Sequence, residues 1–273
     1  METCSILPQS IDHASNVCEK LFSDFINPHI INSGTKGTIY RVTNKMTGID
    51  TIIKIQLFDD NALNELITGC TLNSLSTDSF VKYIIWFSCK SLPEWAISER
   101  IQTSERFNYL FIEMEKADIS FDTLLQINAS IDIFALLFML FSIIYALYLA
   151  RKAFSFSHND LHANNILLRE LDNYVTRSYV LNNTKFTFET KYIPIIIDYD
   201  NATLNKNVSS PDSKYLYLIF AALLNNIKGI GSRQRNLYHE TLKRYLDKVT
   251  SSSDIQDLED LLFSDIFSGF IDE

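Results

Sequence analysis

The segment His158-Asn159-Asp160-Leu161-His162-Ala163-Asn164-Asn165-Ile166-Leu167-Leu168 places an aspartate and an asparagine five residues apart, just after a long apolar stretch. That spacing suits phosphoryl transfer: the Asp160 carboxylate can accept a proton from an attacking hydroxyl, and the Asn165 amide oxygen can ligate a magnesium ion. Downstream, Ile195-Ile196-Ile197-Asp198-Tyr199-Asp200 ends an apolar strand on a carboxylate at a turn. Two carboxylates and an amide on separate loops form a donor set for Mg²⁺, which takes hard oxygen ligands. The competing reading of Asp160 is a helix cap or an Asx-turn. His158 reads as a structural residue of the loop. His162 stands where a polar group could approach a transferred phosphate, and could equally bond a neighbouring backbone group.

Upstream lie residues suited to holding phosphates. The turn Ile31-Asn32-Ser33-Gly34-Thr35-Lys36-Gly37-Thr38-Ile39-Tyr40 contains two of the chain's seven glycines. Glycine allows backbone N–H groups to approach phosphate closely, although a plain hairpin turn explains the pair equally well. The next strand, Thr51-Ile52-Ile53-Lys54-Ile55, carries a lysine among β-branched residues, and Glu65 follows eleven positions on. A lysine fixed by a glutamate can hold the α- and β-phosphates of a nucleotide. The combination is far more specific than a lone strand lysine, which is usually a solvated edge residue.

The elements that must position these residues follow from periodicity. Residues 1–30 read as an N-terminal extension, helical from Ile11 to Phe25. Strands are expected over Gly37–Thr43, Thr51–Phe58, Val81–Cys89 and Tyr109–Glu113, with a helix from Asn61 to Leu75 between them. Beyond Lys116 the character changes. Helices are expected over Asp122–Ile127 and Asp132–Ala153, then short strands after the His158 loop, then helices over Lys214–Asn226, Arg235–Lys248 and Ile255–Phe267. The expectation is an α+β fold, with a small N-terminal antiparallel-sheet lobe holding one helix (31–116) and a larger, shortened helical C-terminal lobe (117–273).

Composition narrows the class. Among 273 residues 47% are hydrophobic and 21% charged, ordinary values for a globular chain that can bury a large core. The net charge of −9 argues against an extended nucleic-acid surface and is compatible with a basic peptide partner, although a solvated acidic surface is the plainer reading. Cys4, Cys18, Cys70 and Cys89 show neither CxxC nor zinc-ligand spacing, so free thiols in a reducing intracellular compartment, cytoplasm or nucleus, are expected. No secretory signal is expected at the N-terminus. Ile133–Ala150 is apolar for long enough to span a membrane. Asp132 and Arg151-Lys152 bracket it like ordinary helix ends, however, and a span would separate Lys54 from Asp160 across the bilayer. A buried core helix is expected, with no membrane partner.

Together these segments resemble the protein-kinase superfamily over residues about 31 to 220. The resemblance implies a two-lobed kinase-like fold that uses ATP and Mg²⁺. It matches Gly34 and Gly37 to the second and third glycines of the Gly-rich loop, with Asn32 in place of the first. It places Ile39 beside ATP, Lys54 on the phosphates with Glu65 as its partner, Ile112 at the gatekeeper position, and Glu113 to Glu115 in the adenine-binding hinge. Asp160 matches the catalytic base, and Asn165 and Asp198 the metal ligands. Several departures narrow the choice: Asn159 replaces the usual Arg, His162 replaces the usual Lys, the Asp-Phe-Gly turn reads Asp198-Tyr199-Asp200, and no Ala-Pro-Glu motif follows. Between Asn165 and Asp198 there is room for an inserted hairpin around Arg177–Lys191. These features look like haspin, an atypical Ser/Thr protein kinase that phosphorylates a threonine near the N-terminus of a core histone. Two rivals stay open. Aminoglycoside and choline kinases share the His-x-Asp-Leu-His-x-x-Asn loop and an Asp-Tyr-type turn, and a pseudokinase scaffold would bind nucleotide without transferring phosphate.

Overall fold

The computed structural model describes residues 15–34, 36–96, 108–126, 133–205 and 255–272, with scattered positions between 212 and 244. Within these the protein is α+β, and it divides into two compact units. The first comprises the chain up to Ser74 together with Val81–Lys116. The second comprises Leu75–Phe80 and Ala117 onward.

The first unit is built on a five-stranded antiparallel sheet in the order β1-β2-β3-β5-β4. Its strands are β1 (Phe25–Gly34), β2 (Gly37–Asn44), β3 (Asp50–Leu57), β4 (Tyr83–Cys89) and β5 (Tyr109–Glu115). Period-two alternation sends Tyr40, Val42, Ile53, Ile55, Phe87, Cys89, Tyr109 and Phe111 into one core. Helix α1 (Ser15–Ser23) adds Cys18 and Phe22 to it. Phe87 and Phe111, opposite each other in register, stack at 4.8 Å. Helix α2 (Asp60–Leu72) starts where the Asp59 side chain accepts from the Ala62 N–H, which satisfies one of the helix's unpaired donors.

Three expectations are corrected here. The N-terminal helix stops at Ser23, and Phe25–Gly34 forms an edge strand of the sheet rather than the end of an extension. That strand has two register shifts, contains Pro28 and buries only Phe25, so it lacks the alternation that marks a strand in sequence. The expected free thiols are corrected too: Cys18 and Cys89 are joined as a disulfide across 71 residues, a pairing that no local motif announces.

The second unit centres on α4 (Ile133–Phe154), apolar all round, with 78% of its most apolar window buried in the protein. It packs against β8 (Thr184–Ile196) and against α5 (Ile255–Leu262). Strand β7 (Ile166–Leu181) pairs with β8 in one long hairpin, and the short β6 (Ile119–Ser120) joins β7 on its other side. The hairpin begins directly after the Asp160 loop, so it is longer than the Arg177–Lys191 insertion expected. Its tip, Asn182-Asn183, has φ of 48° and 66°, the left-handed pair that a two-residue hairpin turn requires. Phe138, Phe141, Tyr179, Phe186, Phe188 and Phe267 form an aromatic core around α4. The helix expected over Asp122–Ile127 is α3 (Phe121–Gln126). Those expected over 214–226 and 235–248 lie largely outside the described residues.

Candidate functional site

In the first unit, β3 turns Lys54 away from the aromatic core toward α2. Ile39, Lys54, Ile112 and Trp86 form one cross-strand row over β2, β3, β5 and β4. The Lys54 ammonium donates to both oxygens of Glu65, each at 2.8 Å. Glu65 is 1% exposed. A carboxylate taken from water to that extent needs partners for all its lone pairs. Gln56 Nε2 supplies a further donor at 2.7 Å, and the Tyr83 hydroxyl another at 3.3 Å.

Gly69 makes the Tyr83 contact possible. A Cβ on Gly69 would lie 2.3 Å from the Tyr83 ring, so only glycine lets the ring come this close to α2. Asn73, at the end of α2, holds the Tyr83 backbone in both directions: its amide donates to the carbonyl at 2.8 Å and accepts from the N–H at 3.2 Å. Sequence reasoning found Lys54 and Glu65 but missed Gln56, Tyr83 and Gly69. A glycine inside a helix was the available signal.

The other expected nucleotide residues of this unit are engaged within the sheet. Gly34 and Gly37 face each other across the β1–β2 turn. Gly37, at φ 142°, is required because a Cβ there would meet the Ile55 carbonyl at 2.7 Å. Thr35 at the tip lies outside the described residues. The Glu113 carboxylate is buried and accepts from Asn44 Nδ2, on the opposite face of the sheet from Lys54. Glu115 receives the Lys82 N–H on its side chain and donates its own N–H to the Lys82 carbonyl. The side chains of both glutamates are thus taken up by the fold.

In the second unit, the Asp160 loop is suspended from a buried carboxylate. Asp212 accepts from the backbone N–H groups of His158 and Asn159, both at 2.9 Å, and Arg151 approaches it at 3.8 Å. His158 is fully buried, and its Nε2 donates to the Ile197 carbonyl at 2.9 Å, which ties the loop to the strand entering Asp198. Phe80, Phe156, His158 and Tyr199 pack edge to face beneath it. The expected structural role of His158 matches this geometry.

Asn165 Nδ2 donates to the Asp160 carbonyl at 2.9 Å, and among the described residues no hydrogen bond to its amide oxygen is present. The Asn165 carbonyl accepts from the Ile197 N–H at 3.0 Å, one residue before Asp198. Asp198 sits at φ 65°, a left-handed conformation that a non-glycine residue adopts at some cost. Its Oδ1 is buried and, among the described residues, meets no hydrogen-bond donor. A buried carboxylate oxygen without a donor is costly unless a cation supplies the missing interaction. Together with the Asn165 amide oxygen, the donor chemistry of this carboxylate fits a hard divalent ion such as Mg²⁺.

The Asp160 carboxylate is partly exposed. Its Oδ2 accepts from Asn201 Nδ2 at 3.1 Å, and His162 Nε2 stands 3.9 Å from its Oδ1, beyond hydrogen-bond range. Asn159, in the left-handed region at φ 63°, donates to the Asn201 carbonyl at 2.9 Å and to Thr203 Oγ1 at 3.2 Å, and accepts from Ser157 Oγ at 2.7 Å. Asp212 and Asn201 were both missed from sequence, since neither falls at a spacing that a local pattern marks. No protein-family model matches this chain, and no curated protein matches it.

Proposed function

We propose that this chain is an ATP- and Mg²⁺-dependent phosphotransferase with a two-lobed, protein-kinase-like fold, acting on Ser/Thr hydroxyls of a protein substrate in the manner of haspin. The observation that carries the reading is Asp198: a left-handed residue whose buried carboxylate oxygen lacks a donor among the described residues, tied through Ile197 to Asn165, whose amide oxygen accepts no hydrogen bond among them. Two other buried carboxylates, Glu65 and Asp212, are supplied with donors. Among the described residues Asp198 Oδ1 is not.

Asp198 and Asn165 would hold Mg²⁺, which supplies neutralisation of the developing phosphate charge. Lys54, held by Glu65, would orient the α- and β-phosphates, with Ile39 and Ile112 beside it in the same row of the sheet. Asp160 would orient the acceptor hydroxyl and take its proton. Gly34, Gly37, Glu113 and Glu115 would contribute through backbone groups. A basic peptide is the expected acceptor given the net charge of −9, and a reducing intracellular compartment the expected setting.

The test is calorimetric titration of ATP into wild type and Asp198→Ala, with and without Mg²⁺. Mg²⁺-dependent binding by wild type, lost in the variant, supports the reading. Equal affinity with and without the metal, or no binding, rejects it.

A further inference from the structure

We propose that Asn201 is a positioning residue for the base, acting through Asp160; the inference rests on the phosphotransfer reading above. The Asn201 side chain is exposed, so it contributes little to core packing. Among the described residues its side chain makes one hydrogen bond, from Nδ2 to Asp160 Oδ2 at 3.1 Å. Its backbone is fixed from the other side, where the carbonyl accepts from Asn159 Nδ2 at 2.9 Å.

Both neighbours of that contact are rigidly held. Asn159 is locked by its own N–H on buried Asp212, by Ser157 and by Thr203. Ser157 and Thr203 exchange backbone hydrogen bonds at 3.0 and 2.8 Å, which joins the base loop to the segment carrying Asn201. The turn between is closed by the Ala202 N–H on the Tyr199 carbonyl, and by the buried Tyr199 hydroxyl on the Ile196 carbonyl. Asn165 holds the Asp160 backbone carbonyl. The Asp160 peptide is therefore fixed without Asn201, and what remains free is rotation of the carboxylate itself.

One neutral donor on Oδ2 removes that freedom. It leaves Oδ1 as the oxygen available to an acceptor hydroxyl, and it does so without the positive charge that would weaken the base. Asn159 takes part in this arrangement, so the loop is organised by amide side chains together with Asp212. A base misaligned by about 1 Å loses on the order of a hundredfold in rate.

The experiment measures ADP release from Mg-ATP with mixed histones present, which counts transfer to protein and to water alike. Asn201→Ala and Asn201→Asp are compared with wild type, and Asn201→Ala is repeated in an Asp160→Asn background. In Asn201→Ala, kcat is expected to fall about tenfold to a hundredfold while KM for ATP stays within about twofold. Asn201→Asp, which sets a second carboxylate against the first, is expected to fall at least as far. In the Asp160→Asn background Asn201→Ala should cost nothing further, because the residue acts only through the base. Wild-type turnover in Asn201→Ala, or an undiminished loss in the double variant, overturns the positioning role while leaving the phosphotransfer reading intact. A wild-type chain that releases no ADP overturns both.

Discussion

Glu65 shows how much of this protein's local chemistry is spent on holding one carboxylate. Lys54, Gln56 and Tyr83 all donate to it, and it is almost fully removed from water. Removing one partner of a buried ion pair leaves an uncompensated charge, which costs about 3–5 kcal/mol, whereas the neutral donors that remain reduce that loss. Lys54→Met is therefore expected to lower unfolding stability by about 2–4 kcal/mol in urea denaturation. An unchanged midpoint would mean that the pair contributes nothing to the fold. At Asp160 the expected effect is on rate alone. The side chain is partly exposed and accepts one neutral hydrogen bond, so Asp160→Asn should melt close to wild type. Its turnover should fall by about 10²- to 10⁴-fold, the usual contribution of a general base.

At the scale of elements, α2 and β4 are fitted to each other through Gly69. Gly69→Ala places a methyl carbon 2.3 Å from the Tyr83 ring. The helix gains propensity but the overpacking costs about 1–3 kcal/mol, so net destabilisation is expected, together with loss of the Tyr83 contact to Glu65. A variant as stable as wild type would show that the ring moves aside freely. In the hairpin, Tyr179 packs on α4 and shares a hydrogen bond of 2.8 Å with Ser142. Burial pushes its phenol up to about 12, against an ordinary value of 10.0. As pH rises through 10 toward 12 the unfolded chain releases a proton that the folded chain retains. The contribution of Tyr179 is therefore complete below pH 10 and is lost as pH rises through the folded value. Urea midpoints measured at about pH 9 and about pH 11 should fall less in Tyr179→Phe than in wild type. Equal falls would remove Tyr179 from the alkaline response.

Which elements could be read in advance follows from how each buries its side chains. Strand β2 alternates against one core, β3 and β5 are short runs of mostly buried apolar residues, and α4 is apolar enough to demand burial, so all were legible. The edge strand β1 exposes nearly every side chain and is held by backbone pairing, which leaves no hydrophobic period to detect. The middle of β7, from Glu170 to Tyr174, is mostly exposed and its outer half only half-buries one face, so the hairpin was placed too short. Lys54 and Glu65 lie close in sequence and on adjoining elements. Asp212 reaches the His158 loop across 54 residues, and Asn201 reaches Asp160 across 41, with nothing local to mark either.

At the scale of the whole molecule, the proposal assigns roles to Lys54 and Glu65 and to Asp160, Asn165 and Asp198, and a substitution at Lys54, Asp160 or Asp198 should abolish transfer. The measurement that bears on this most directly is transfer of labelled γ-phosphate from Mg-ATP onto histones, generic basic proteins and amine-bearing small molecules. It is made with wild type, Lys54→Met, Asp198→Ala and Asp160→Asn side by side. Labelling of protein by wild type that is lost in all three variants is the expected result, and the labelled residue would define the acceptor. Labelling of a small molecule instead would move the substrate class. Wild-type labelling in Asp198→Ala and Asp160→Asn, or none by the wild-type chain on any acceptor, would contradict the phosphotransfer function.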